Sequence, residues 1–470
     1  MIRGAHGFEF YHELYRDAIY SGIPPEKRKK MHLDVAQFLV DNLEGGVYPE
    51  MIAEHFELGG NIAAAVPFWQ RAGHRAMQLY AFKEAKEYLA KAIRNFCDHG
   101  ERSEPWRDEI HLHHDFAIVS VMDDGFACEA ARSSFAHILA LCAQYKIGGR
   151  PYYAALWGIW LQIFSSGDMY QAISAAEKLL SCAQHCPDNG FGLTVGRFAK
   201  GVSLAWQGSV EEAYQLFSEG QKHWKEEYSH LSISMFGENL EISLHCYKAL
   251  VLLLLCRPEE SREEIAYARN LADTSGMEAS VAYVSAMQLA LDFFGNSTAA
   301  AKNSLLRIEE ICNRESLVMW FAYSQVFRGW LGILEDESNQ SIHLQKMQSG
   351  IDCIRNIWPS GLAFLSIVKS AALLSAGSDL FLADLVESRK IANKTASFLM
   401  TWHLLLQEAN WYLNHVQPQD GKRAVRCLRK VQKCGVPFFS RLADMALLKV
   451  NGGFESSRPK RTAAVSSGTG

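Results

Sequence analysis

A chain of 470 residues, 49% of them hydrophobic, has ample apolar surface to bury and exceeds the usual size of one compact globule. Its formal net charge of -5, from 47 Lys and Arg against 52 Asp and Glu, gives no electrostatic ground for wholesale binding to nucleic acid or an anionic membrane. The 11 cysteines are scattered and form no Cys-x-x-Cys pair, so a disulfide scaffold is excluded and reduced thiols in a cytoplasmic protein are expected.

Taken from the start, Met1-Ile-Arg-Gly opens without the apolar core of a secretory signal. The alternation Phe8-Glu-Phe10-Tyr11 predicts a short strand. His12 to Tyr20 predicts a helix with Leu14, Ala18 and Ile19 on one face. Pro24-Pro25 stops it, and Pro25 fits the first turn of the next helix. That helix carries Met31, Val35, Phe38 and Leu39 at the spacing of a single buried stripe, and a Gly45-Gly46 turn ends it. Pro49 to Leu58 reads as a short helix closed by Gly59-Gly60.

From Asn61 onward one pattern recurs about every 40 residues: a helix, a short turn, then a second helix rich in small residues. Second helices are placed near Phe82, Cys128, Met169, Val210, Glu259, Ser297, Asn339, Leu380 and Lys422. Turn residues precede most of them, among them Asp124-Gly125, Gly167-Asp168, Gly208-Ser209 and Gly295-Asn296. The step is longer than the ordinary 34-residue helical repeat, and long helices such as a stretch from Ser232 to Cys256 are read as the reason. The apolar run Ala249 to Cys256 is bracketed by Lys248 and Arg257 and falls short of the ~20 residues that span a bilayer, so it reads as a buried helix.

Small residues let paired helices approach closely. In one repeat Trp69, Gly73, Ala76, Ala85, Leu89 and Ala92 are assigned to packing; in another, Gly201, Gly208, Ala213, Phe217 and Gly220. Trp206, Trp330 and Trp411 fill space between layers. The fold class is therefore all-α, a superhelical α-α solenoid of tetratricopeptide-like hairpins, with three segments: a partial winged-helix or helical junction over 1–60, repeats over 61–452, and a disordered tail over 453–470. The Gly- and Ser-rich stretch from Asn451 holds a weak basic cluster, Arg458-Pro-Lys460-Arg461.

Signatures of chemistry are missing. There is no phosphate-cradling Gly-x-x-x-x-Gly-Lys-Ser/Thr loop, no kinase loop motif, no Gly-x-Ser-x-Gly elbow and no His-Glu-x-x-His. The nearest approach to a metal cluster is His111-Leu-His113-His114-Asp115, in which His111 shares a helix face with His114 and with Asp115. It is read as ordinary helix histidines for want of a further ligand, and Cys182 and Cys186, one turn apart, are read as packing. His12, Glu13 and Asp17 could form an acid/base group but lack a substrate loop. The run Lys27-Arg28-Lys29-Lys30 is read as a solvated face in preference to a phosphate contact. No catalytic residue, cofactor or metal is assigned.

The stretches Phe8-Glu-Phe-Tyr-His12-Glu-Leu-Tyr-Arg16-Asp-Ala-Ile-Tyr20, Arg28-Lys-Lys-Met-His32-Leu-Asp-Val-Ala36, Pro49-Glu-Met-Ile-Ala53-Glu-His55-Phe and Ala63-Ala-Ala-Val-Pro-Phe-Trp69-Gln-Arg-Ala-Gly73 resemble a known junction. It is the junction after the ATPase module of bacterial STAND- or AAA-type signal-transduction ATPases, whose output domains are class III cyclases, kinases or transcriptional activators. Looser likeness, in Arg328-Gly329-Trp330 and Met400 to Leu413, extends to the late repeats. The resemblance implies a chain beginning inside the winged-helix segment, without ATPase or output domain. It further implies a non-catalytic regulatory module, a truncated or split product, that contacts a protein partner or a neighbouring ATPase or effector domain. The alternative is a part of a transcriptional regulator or of a cyclase. The partner site is expected on the inner wall lined by the first helix of each pair.

Overall fold

The computed structural model describes residues 2–4, 7–9, 13–42, 48–98, 105–183, 189–314, 317–414 and 420–456. Strands β1 (Ile2–Gly4) and β2 (Gly7–Glu9) pair antiparallel, with Arg3 opposite Phe8. Helices follow: α1 (Glu13–Gly22), α2 (Pro25–Asn42), α3 (Pro49–Leu58), α4 (Ile62–Gln78), α5 (Phe82–Asp98), α6 (Pro105–Asp124), α7 (Glu129–Tyr145) and α8 (Arg150–Ser166). Then come α9 (Met169–Ala183), α10 (Asn189–Gln207), α11 (Val210–Lys222), α12 (Glu226–Phe236), α13 (Leu240–Leu254), α14 (Pro258–Thr274), α15 (Glu278–Phe294) and α16 (Thr298–Arg314). The last are α17 (Val318–Glu335), α18 (Gln340–Ile357), α19 (Gly361–Ser375), α20 (Phe381–Lys394), α21 (Phe398–Asn414), α22 (Asp420–Gln432) and α23 (Pro437–Ser456). The chain is all-α apart from the short strand pair.

Helices pack as hairpins: α4 on α5, α6 on α7, α10 on α11, α13 on α14, α15 on α16, α17 on α18, α19 on α20 and α21 on α22. Their second helices begin within two residues of the positions read from the sequence. The turns are made by local chemistry. At the end of α10, Gly208 takes φ 101°, a left-handed conformation that a side chain resists. There the Ser209 amide donates back to the Leu204 carbonyl at 2.9 Å and the chain reverses.

Two compact units divide the chain, Met1–Gly158 and Ile159–Gly470, and the division falls inside α8. In the first, Trp69 and Ala72 of α4 share one apolar cluster with Ala36 of α2, with Ile52 and Phe56 of α3, and with Ala92 and Phe96 of α5. Packing thus runs without a break across the boundary read at 60/61. In the second unit the first helices of successive hairpins meet one another, α13 with α15, α15 with α17, α17 with α19 and α19 with α21; α10 also touches α21, and α13 touches α23. Phe293, Phe294, Phe364, His403 and Phe439 gather there, ring against ring at 5.4–6.4 Å. Nearby, the Ser360 amide donates to the Ser165 carbonyl at 2.8 Å. The inner wall expected to stand open for a partner is, in this unit, apolar core.

Two local readings are corrected. The helix read as continuous from Ser232 to Cys256 is two helices, α12 and α13. Gly237 at φ 75° breaks it, Asn239 caps α13 by accepting from the Glu241 amide, and Ser232 Oγ accepts the Leu240 amide. On α2 the stripe Met31, Val35 and Phe38 faces outward, Phe38 being 61% exposed, while Ala36 is buried and Leu33, Leu39 and Val40 pack inward. Helix α23 runs to Ser456, four residues into the segment read as a tail over 453–470. No helix among the described residues is long and apolar enough to cross a membrane.

Candidate functional site

Of the residues assigned to packing, Gly208 lies in the turn after α10, and the others are buried or closely faced by a neighbouring side chain. Trp69, Ala76, Ala85, Leu89 and Ala92 are buried, and a Cβ on Gly73 would stand 2.7 Å from Leu89 Cγ. Ala213 and Phe217 are fully buried; a Cβ on Gly201 would stand 2.6 Å from Phe217 Cε1, and one on Gly220 would touch Leu244 at 3.4 Å. Trp206, Trp330 and Trp411 are buried as well. These residues bring helices together and line no cavity described below.

The histidine run divides. His111 is exposed. Asp115 accepts from His74 Nε2 at 2.7 Å and from Gln70 Nε2 at 2.8 Å, and His114 lies beside it. Burial alone would raise the Asp115 carboxyl, but the hydrogen bonds from His114, His74 and Gln70 outweigh it and hold its pKa below the carboxylate range. His113 turns the other way, toward α7. On α2, Lys27, Lys29 and Lys30 are exposed, Lys29 pairs with Glu26 at 3.1 Å, and Arg28 lies over the Tyr20 ring. Cys182 is half-buried, and no disulfide joins the described cysteines. His12, Cys186 and Arg458 to Arg461 lie outside the described residues.

A cavity of about 480 Å³ opens between α11 and α14 over the N-terminal half of α13. Gln221, Trp224, Glu241, Leu244, His245, Glu263, Glu264 and Tyr267 line it. Hairpin stacking makes this groove, because α11 ends one repeat while α13 and α14 form the next. At its floor His245, only 6% exposed, hydrogen-bonds Glu264 through Nδ1, and Lys248 Nζ reaches the other Glu264 oxygen at 2.7 Å. Lys248 also donates to Gln221, whose amide nitrogen lies 3.4 Å from His245 Nδ1.

Burial raises the Glu264 carboxyl, and the hydrogen bonds and charges of His245 and Lys248 then overcome it, so its pKa ends below the usual value. The His245 ring lies 4.4 Å from that of Tyr267. Glu241 accepts from Ser229 Oγ at 2.7 Å and from Tyr267 Oη at 3.4 Å. Burial first, and the Glu241 charge second, raise the Tyr267 phenol.

Lys248 neutralises Glu264, which leaves Glu241 and Glu263 as a net acidic rim between two aromatic walls, Trp224 and Tyr267. Carboxylates beside aromatic faces favour a cationic group. One repeat further on, the corresponding groove between α14 and α16 is crossed by ion pairs, Arg307 with Asp273 and Arg314 with Glu278, so its charges are already matched.

None of the groove residues was singled out from the sequence. One local signal existed: His245 and Lys248 interrupt a strongly apolar helix, and a polar pair in such a run must find partners or cost several kcal/mol (about 2–7 for one uncompensated group).

No described protein family matches the chain, and no curated protein does. Among solved structures, NprR in complex with its cognate peptide NprX aligns at 15% identity over 73% of this chain and 92% of its own, with a TM-score of 0.48. Yeast Tom70 aligns at 9% identity over 93% and 98%, with a TM-score of 0.33. A Naa15/Naa10 complex bound to HypK-THB aligns at 12% identity over 96% and 82%, with a TM-score of 0.24. The fold assignment rests on this chain's own helices and their packing.

Proposed function

We propose that the chain is a non-catalytic helical-repeat binding module that takes a cationic segment of a partner protein into the groove between α11 and α14. One observation carries this reading: the lining holds the carboxylates Glu241, Glu263 and Glu264 but no lysine or arginine, between Trp224 and Tyr267. The test is fluorescence anisotropy of the full chain with a lysine- and arginine-rich peptide and with a glutamate-rich peptide of equal length. Only the basic peptide binds, and the double variant Glu241→Gln/Glu263→Gln weakens it by about tenfold, the equivalent of about 1.4 kcal/mol. Equal binding of both peptides, or no effect of the double variant, removes the reading.

The resemblance of the N-terminal segments supports a narrower role, regulation of a signal-transduction ATPase by a cytoplasmic module whose first 60 residues derive from a winged helix. A strand pair followed by α1 and α2 is compatible with such a remnant. The outward apolar residues Leu14, Ile19, Val35 and Phe38, between 40% and 71% exposed, give a neighbouring domain a face to rest on. Co-purification with an ATPase module of this class tests it, and a module that neither binds nor changes its hydrolysis rate on addition of the chain counts against it.

A further inference from the structure

Between α6 and α7 three metal-ligating side chains converge. Glu109 and His113 are four residues apart and share a face of α6. His137 comes from α7, its Nε2 2.7 Å from Glu109 Oε1 and its ring 4.2 Å from that of His113. One ligand atom from each of the three lies within 4.8 Å of the other two. All three side chains are half-buried, so an ion can enter from solvent.

We propose that Glu109, His113 and His137 form a binding site for a divalent transition metal of the zinc class, clamping α6 to α7. Two imidazoles and a carboxylate are a ligand set that zinc accepts, with the fourth position left to water. Bond lengths of about 2.0–2.2 Å place tetrahedral ligand atoms roughly 3.4 Å apart, so side-chain torsions alone close the cluster on an ion. Ser134 Oγ, 3.4 Å from His113 Nδ1, is placed to orient that ring. The sequence run His111-Leu-His113-His114-Asp115 holds one of the three residues, His113, and did not single out Glu109 or His137.

The test is a titration of the full chain, chelator-treated and without a histidine tag, with Co²⁺ as a spectroscopic probe and Zn²⁺ as competitor. One equivalent of Co²⁺ binds saturably, gives the visible bands of a low-coordinate site, and is displaced by Zn²⁺. His137→Gln, a change at a partly exposed position, weakens binding by more than about 100-fold with an unchanged circular dichroism spectrum. His111→Gln on the same helix leaves binding unchanged. No saturable uptake by the wild-type chain, or equal affinity in His137→Gln, overturns the proposal.

Discussion

Gly201 of α10 faces Phe217 of α11 so closely that a Cβ at 201 would stand 2.6 Å from the ring. The two helices can lie this near only because one of them lacks a side chain. Gly201→Ala therefore sets overpacking, about 1–3 kcal/mol, against a helix-propensity gain of about 0.5–1 kcal/mol. Urea denaturation will show a net loss. Gly421→Ala, where a Cβ meets nothing within 4 Å, will be neutral or stabilising.

Glu238, half-buried in the second unit, gives a test of pH dependence. Its carboxyl accepts from Ser243 Oγ at 3.1 Å, yet burial outweighs that bond and raises its pKa to about 7. Between pH 4.5 and 7 the folded chain then holds a proton that the unfolded chain has released, so stability falls as pH rises through this window. Glu238→Gln will be more stable than the wild type at pH 8, by at most about 3 kcal/mol, and the advantage will vanish below pH 4.5. Urea melts at pH 4, 6 and 8 decide.

At the groove floor the sign reverses. Glu264 has a lowered pKa, so its contribution is complete above the unfolded value of 4.5 and is lost as pH falls through the folded one. Glu264→Ala leaves Lys248 and His245 half-buried or buried without their anion and will cost roughly 3 kcal/mol at pH 7. Thermal melts will show the deficit shrinking under acid conditions below pH 4.

Phe439 joins α23 to α15 through Phe294, ring centroids 6.4 Å apart, and is fully buried. Phe439→Ala will cost about 3–5 kcal/mol. Leu448→Ala on the same helix, at a side chain 71% exposed, will stay within about 0.5 kcal/mol. Denaturant midpoints compare the two.

What the sequence made legible was local. Gly208 before Val210 marks a turn, and the small residues Gly73, Ala85 and Ala92 mark a crossing, because both needs are met within a few residues of chain. The face of α2 was misjudged because Met31, Val35 and Phe38 have the spacing of a buried stripe, and only α3 and α4 decide that Leu33 and Ala36 point inward. The groove was invisible for a stronger reason. Gln221, His245 and Glu264 lie on three helices of two repeats, and stacking alone brings them within hydrogen-bonding reach. His113 and His137 meet by the same route. The filled centre of the second unit depends on α10 meeting α21, a pairing that no repeat period announces.

The central claim is that binding takes place in the acidic groove and leaves the filled inner wall untouched. Hydrogen–deuterium exchange of the full chain, with and without saturating lysine- and arginine-rich peptide, reads this residue by residue. Slowed exchange confined to 221–224, 241–245 and 263–267 is the predicted result. Protection centred on 293–294, 364 and 403, or no protection at saturation, would contradict it.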